Sequence, residues 1–128
     1  MGTRSLTFVY DNDEAMINMY RQFDGYPSGH GLELAEFLNS FAEITNGYRF
    51  DDTRKIANGM GCLAAQLVSN FKVGVGQFYL YPINARDCGQ EYEYHIHENR
   101  VVVKNYNGNV IFDGDWSGFR SFCLSDDE

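Results

Sequence analysis

A chain of 128 residues, 44% hydrophobic and 16% aromatic, carries enough apolar material for one folded domain and too much for a disordered one. Its formal charge of −8, from 18 acids against 10 bases, withholds the basic face that general nucleic-acid binding needs. No apolar run approaches the ~20 residues of a membrane span, and residues 1–5 lack a signal peptide's apolar core, so neither membrane insertion nor export is expected.

Residues 5–10, Ser-Leu-Thr-Phe-Val-Tyr, alternate as a strand, 11–14 make a turn, and 15–22 read as the returning strand of a hairpin. A glycine-rich turn, Asp24-Gly25-Tyr26-Pro27-Ser28-Gly29-His30-Gly31, then opens a helix. Its face is Leu34, Phe37, Leu38 and Phe41, and its stop is Thr45-Asn46-Gly47. Residues 48–57 are polar and irregular. A second glycine-rich turn, Asn58-Gly59-Met60-Gly61-Cys62, opens a stronger helix with Met60, Leu63, Ala64, Leu67, Val68 and Phe71 on one face. Asn58 is its expected N-cap, and Gly74 and Gly76 end the pattern. Residues 77–82 are apolar on both faces, as in a central strand. Residues 91–97 alternate, placing Tyr92, Tyr94 and Ile96 together, and strands 101–106 and 109–113 flank the tight-turn pair Asn107-Gly108. The predicted order ββααββββ is α+β: an antiparallel sheet of five to six strands with two helices on one face, in a single domain over residues 1–128.

A helix start leaves its first N–H groups unpaired, and glycine lets a ligand come close to them. On that ground Ser28, Gly29 and His30 of the first turn, Tyr26 as a stacking ring, and Gly59 and Gly61 of the second form a candidate anion or nucleotide pocket. Arg4 opens the first strand and Arg21 closes the second, so a hairpin brings their ends together. Arg86 lies in a separate loop. Guanidinium groups hold phosphate through bidentate contacts, which makes Arg4, Arg21 and Arg86 the expected clamps. The competing reading makes the glycines close-packing positions and the arginines members of surface ion pairs worth ~0–1 kcal/mol each. Neither turn is a Walker loop or a dinucleotide fingerprint, and no cofactor is expected.

Cysteine use is sparse. Cys62, Cys88 and Cys123 form no C-x-x-C pair and are odd in number, which argues for a reducing, cytoplasmic setting. Cys88, with His95 and His97 on the following strand, is the one arrangement suited to nucleophilic catalysis, its thiolate favoured by Arg86 and opposed by Asp87. His95 and His97 also share a strand face with Glu91 and Glu93, a set that could take zinc or iron given a further ligand. The solvent face of an amphipathic strand accounts for the same residues, and no metal site is assigned. Tyr79, Tyr81, Tyr92, Tyr94 and Tyr106 fall in predicted sheet, where tyrosine serves as a strand former.

These segments together resemble a group of short phage, prophage and bacterial proteins of uncharacterised activity. The resemblance rests on Gly2-Thr3-Arg4-Ser5, on Tyr20-Arg21-Gln22-Phe23-Asp24-Gly25-Tyr26-Pro27-x-Gly29-x-Gly31, on Asn58-Gly59-Met60-Gly61-Cys62-Leu63-Ala64-Ala65-Gln66-Leu67 and on Arg86-Asp87-Cys88-Gly89. It spans most of the chain and implies a compact phage-type accessory protein acting in the cytoplasm of a host cell. For such a protein the expected role is anti-defence. It would bind a small anionic ligand, such as a nucleotide immune signal, and sequester it, with homo-oligomers enclosing pockets between subunits. One alternative is an acidic inhibitor that covers the basic surface of a host defence protein. Another is a small hydrolase or nucleotide-cleaving enzyme using Cys88 or His95 and His97.

Overall fold

The alternation of residues 5–21 produces the hairpin around which the rest is built. A computed structural model describes residues 2–126 and begins with β1 (Ser5–Asp11) and β2 (Glu14–Arg21), paired antiparallel. Their connection, Asn12-Asp13, has φ of 51° and 68°, the two left-handed residues of a tight hairpin turn whose twist matches the strands. A π-helical turn (Pro27–Gly31) runs directly into α1 (Leu32–Asn39). Two short strands, β3 (Glu43–Thr45) and β4 (Ile56–Asn58), pair in parallel, and α2 (Gly59–Phe71) follows. The chain continues through β5 (Phe78–Leu80), β6 (Tyr92–His97), β7 (Arg100–Asn105), β8 (Val110–Gly114) and α3 (Trp116–Leu124).

The main sheet has six strands in the order β5-β2-β1-β6-β7-β8, antiparallel throughout except for the central pair β1–β6. Period-two alternation sends Val9, Met19, Tyr94, Ile96, Val101 and Val103 to one face. There they meet Leu34 and Leu38 of α1, Leu63 and Leu67 of α2, and Phe119 and Cys123 of α3. Each large apolar side chain so buried contributes roughly 1.5–3 kcal/mol relative to an exposed one. Leu6, Phe8 and Tyr20 point to the other face and form a smaller cluster with Tyr10, Tyr81 and Cys88. The loop between β5 and β6 covers that cluster. Asn18, buried on β2, holds the loop by donating from Nδ2 to the carbonyls of Pro82 (3.0 Å) and Ala85 (3.1 Å).

The α+β class and the helices on one face agree with the sequence pattern, but the central pair β1–β6 is parallel in a sheet expected to be antiparallel, and four further details differ. The order is ββαββαββββα, with a third helix, α3, that the pattern omits. α1 ends at Asn39 rather than near Thr45-Asn46-Gly47. The amides of Ser40 and Phe41 bond the carbonyls of Phe37 and Leu38, closing the last turn, and Ala42 then pairs with Lys55 as β3 begins. β5 is an edge strand rather than a central one, so Tyr79 and Leu80 are exposed. Asn58 stands at the N-terminus of α2 without capping it. Its Oδ1 accepts from the Gly47 amide at 2.6 Å and ties together the two ends of the 46–57 excursion.

Candidate functional site

The first glycine-rich turn is spent on the fold. The amides that a ligand would need already have acceptors: Ser28 N bonds Asp126, Gly29 N and Gly31 N bond the Tyr26 carbonyl, and His30 N bonds the Asp24 carbonyl. Sterics explain the glycines. A Cβ on Gly25 would lie 2.8 Å from both Ser5 Cβ and the Thr3 carbonyl oxygen, and one on Gly29 would lie 2.6 Å from the Asp24 carbonyl. This turn packs against Thr3-Arg4-Ser5, so two of the sequence motifs are halves of one backbone contact. The Gly25 amide bonds Thr3, and the Gly25 carbonyl accepts from Tyr94 Oη at 2.7 Å.

Arg21 and His30 do meet, but inside the protein. Arg21 Nη1 donates to His30 Nδ1 (3.0 Å) and to Glu33 Oε1 (2.9 Å), its Nε bonds the Phe23 carbonyl, and its guanidinium lies 5.1 Å above the Phe78 ring. Arginine can only donate, so Nδ1 is the accepting nitrogen, and Nε2–H donates to Thr7 Oγ1 at 2.8 Å. Burial, and then the Arg21 charge, push the His30 pKa well below its ordinary value. The resulting network, Glu33–Arg21–His30–Thr7, is a satisfied polar plug under the helices. Tyr26, beside it, bonds Asp24 Oδ1 through its hydroxyl at 3.4 Å.

Gly59 and Gly61 lie elsewhere. They line a cleft of about 590 Å³ with Asp11, Asn12 and Glu98, at the Asp11 end of β1, whereas Arg21 pairs with Ser5 at the other end. Six residue steps of strand separate those ends by about 20 Å. Gly59 occupies a turn with φ of +83°, and the carboxylates facing this helix start have the wrong sign for an anion. The two glycine-rich helix starts therefore do not form one pocket.

What converges instead is on the loop-covered face of the sheet. Arg4, half buried, leads into β1, and its Nη1 lies against Gly89, where a Cβ would be 2.7 Å away. Arg4 Nε is buried without a hydrogen-bond partner. Arg86, exposed, lays its guanidinium 4.2 Å above the Phe8 ring, with Nη1 bonded to the carbonyls of Ile83 (2.6 Å) and Ala85 (3.1 Å). Arg86 thus opens the segment 86–89, and Arg4 packs against its other end at Gly89. Beside them Tyr20 and Tyr81 stack at 4.8 Å, their rings nearly parallel.

On the same face, β1 and β6 set Phe8 opposite His95 in parallel register, which brings Tyr10 alongside. Tyr10 Oη lies 2.6 Å from His95 Nδ1, and His95 Nε2 lies 3.0 Å from Glu93 Oε1. With the ring neutral, the carboxylate accepts from Nε2–H, and Nδ1 accepts the Tyr10 hydroxyl proton. Gln90 donates to Glu93 Oε2 at 2.9 Å. The hydrogen bond from His95 holds the Glu93 carboxyl below its usual range. Burial, and to a lesser extent Glu93, raise the Tyr10 phenol above its ordinary value, and Arg86 offsets this only in part.

The catalytic candidates are thereby reassigned. His95 is buried beneath Tyr10 and Phe8 rather than standing on a solvent face. His97 stacks on the Tyr10 ring at 4.4 Å, and burial lowers its pKa. The Cys88 thiol is raised, by burial and by Asp87, and no base hydrogen-bonds it among the described residues. Among the described residues, no three His, Cys, Asp or Glu side chains gather as a metal site. Tyr10, Tyr20 and Gln90 belong to this face and escaped the sequence reading. The signal for Tyr10 is the alternation Leu6, Phe8, Tyr10, which marks a second apolar face on β1. No helix is long and apolar enough to cross a membrane among the described residues. Comparison of the chain with protein-family models, curated proteins and solved structures finds no match.

Proposed function

We propose that the protein binds a small phosphate-bearing ligand of the nucleotide class on the loop-covered face, between Arg4 and Arg86. The observation that carries this reading is how the arginines are paired. Among the described residues, Arg21, Arg49, Arg54, Arg100 and Arg120 each have a carboxylate partner, whereas Arg4 and Arg86 have none. In a chain of net charge −8 these two cations are left together on one face. The orphaned Arg4 Nε costs about 1–3 kcal/mol of lost solvation, which an oxyanion would relieve. Guanidinium groups take phosphate oxygens in bidentate fashion, and the Tyr20–Tyr81 stack offers a ring to a base. In the phage setting that the resemblance implies, a nucleotide signal of host defence is the matching ligand. Association of two copies across this face would enclose it.

Native mass spectrometry of freshly purified protein, then calorimetric titration with linear and cyclic nucleotides, tests the reading. Binding is expected to be lost in Arg4→Gln and Arg86→Gln and kept in Arg120→Gln. Nucleotide binding that survives Arg86→Gln would refute it.

A cleft of about 740 Å³ favours a second reading, that of an acidic protein-binding inhibitor. Phe37, Phe71 and Phe78 line it with Glu33, Glu36 and Lys55. Lys55 Nζ already sits 4.9 Å above Phe37 and 4.6 Å above Phe41, so these rings accept an ammonium group. A basic, apolar segment of a host effector suits this cleft. A lysine-rich probe peptide should bind it in a salt-sensitive manner and weaken on Glu36→Gln.

A further inference from the structure

We propose that Tyr10, His95 and Glu93 form a nucleophilic relay in which Tyr10 attacks the phosphorus of a phosphate ester or anhydride held by Arg86. This rests on the anion-binding reading above and adds a reaction to it. Nucleophilic catalysis requires a hydroxyl or thiol within hydrogen-bond reach of a base, and a third group that orients the base. The distances here, 2.6 Å from Tyr10 Oη to His95 Nδ1 and 3.0 Å from His95 Nε2 to Glu93, meet both conditions.

The molecule contains its own contrast. His30 also bonds through both nitrogens, but Arg21 and Thr7 close that network on every side, and the ring is fully buried. The His95 network is different in that it ends on the hydroxyl of Tyr10, a residue only partly buried. It is also held rigidly. The His95 ring stacks on Phe8 at 4.9 Å, and the Tyr10 ring stacks on His97 at 4.4 Å. Gln90 links the relay to the arginine loop. Its amide nitrogen donates to both Glu93 (2.9 Å) and the Arg86 carbonyl (2.6 Å), while its oxygen accepts from the Cys88 amide (2.9 Å). The group that orients the base and the backbone that carries the phosphate clamp therefore share one side chain.

In the first half-reaction a bond forms between Tyr10 Oη and phosphorus while the phenolic proton passes to His95 Nδ1. The bond from phosphorus to the leaving oxygen breaks, and that oxygen keeps the electron pair and takes a proton from solvent if its basicity requires one. Glu93 stabilises the imidazolium that results. In the second half-reaction water adds to phosphorus and releases a proton to solvent, the bond to Tyr10 breaks, and the phenolate recovers its proton from His95. The net reaction is hydrolysis of the phosphate bond. Glu93 is a positioning residue, since it acts through His95.

The test uses p-nitrophenyl phosphate and bis(p-nitrophenyl) phosphate with the intact protein, reading nitrophenolate release and the intact mass of a phosphorylated Tyr10. Wild type should release nitrophenolate and carry the adduct. Tyr10→Phe, which keeps the ring stack, should reduce release to the uncatalysed background and abolish the adduct. His95→Gln should slow release about 10²–10⁴-fold. Glu93→Gln should lower kcat and leave KM unchanged, with circular dichroism confirming that each variant folds. Arg86-dependent nucleotide binding with no release and no adduct would overturn the relay and leave the binding reading intact. Release that persists in Tyr10→Phe would overturn the relay as well. A wild-type protein that neither binds nor turns over would overturn both.

Discussion

Replacing His30 by glutamine tests whether the buried plug holds a neutral ring. His30 is fully buried, and Arg21 beside it adds to the penalty that burial places on an imidazolium, so its pKa lies well below the ordinary value of about 6.5. The unfolded chain binds a proton below that ordinary value and the native chain does not. Stability therefore rises with pH, and it is lost on acidification from the unfolded pKa down to the native one. Each pH unit over which the unfolded ring is charged and the native ring stays neutral withdraws about 1.4 kcal/mol. The carboxyls of Glu93, Asp52 and Asp113 are held low by their partners, so their contributions are lost only in more acid solution, below their unfolded values. His97, partly buried, adds a smaller slope of the same sign. Glutamine can accept from Arg21 and donate to Thr7 without titrating. Urea unfolding at pH 7, 6 and 5 should show most of the wild-type slope gone in His30→Gln. A variant that keeps the full slope would refute the neutral-ring account.

Glycine substitutions should separate packing from permissiveness. Gly25→Ala drives a Cβ to 2.8 Å from Ser5 Cβ and the Thr3 carbonyl and should cost about 2–4 kcal/mol, while Gly61→Ala, where only Met16 Cε lies near at 3.8 Å, should be neutral or stabilise α2 by ~0.5–1 kcal/mol in thermal melts. Asp115 caps α3 by accepting from the Gly118 amide at 2.7 Å, so Asp115→Ala should lower unfolding free energy by about 1 kcal/mol in urea titration. Burial pushes the Cys123 thiol up to about 12, so native protein titrated with a thiol reagent should leave Cys123 unmodified until denaturant is added.

Local pattern sufficed wherever one element determined its own fate. The run Met60, Leu63, Ala64, Leu67, Phe71 became the buried face of α2, and Asn12-Asp13 became the hairpin turn. Pattern failed where a distant partner decided. Phe78-Tyr79-Leu80 has the composition of a buried strand, yet only β2 pairs with it. α3 is short and interrupted by Gly118, and its apolar residues Trp116, Phe119 and Cys123 are legible only once α1 and the sheet are there to receive them. The site was obscured for the same reason. Arg21 and Arg4 are adjacent in the hairpin and alike as residues, but Glu33 and His30 claim the first and nothing charged claims the second. The tyrosine that meets His95 lies 85 positions before it.

The central pair of strands, β1 with β6, has a consequence for how the sheet assembles. Parallel neighbours cannot be joined by a tight turn, and this pair closes across most of the chain, whereas the β1–β2 hairpin and the β6–β7–β8 meander each form from neighbouring segments. Closing so long a loop adds little to the equilibrium cost, which grows only with the logarithm of length, but it sets the pace of assembly. Tyr10 stands on one side of that seam, with His95 and Glu93 on the other. A chain that has made both halves and not yet joined them has most of its strands but lacks the Tyr10–His95 contact. The Tyr10–His95 contact, made across the seam, therefore reports the joining of the two halves of the sheet.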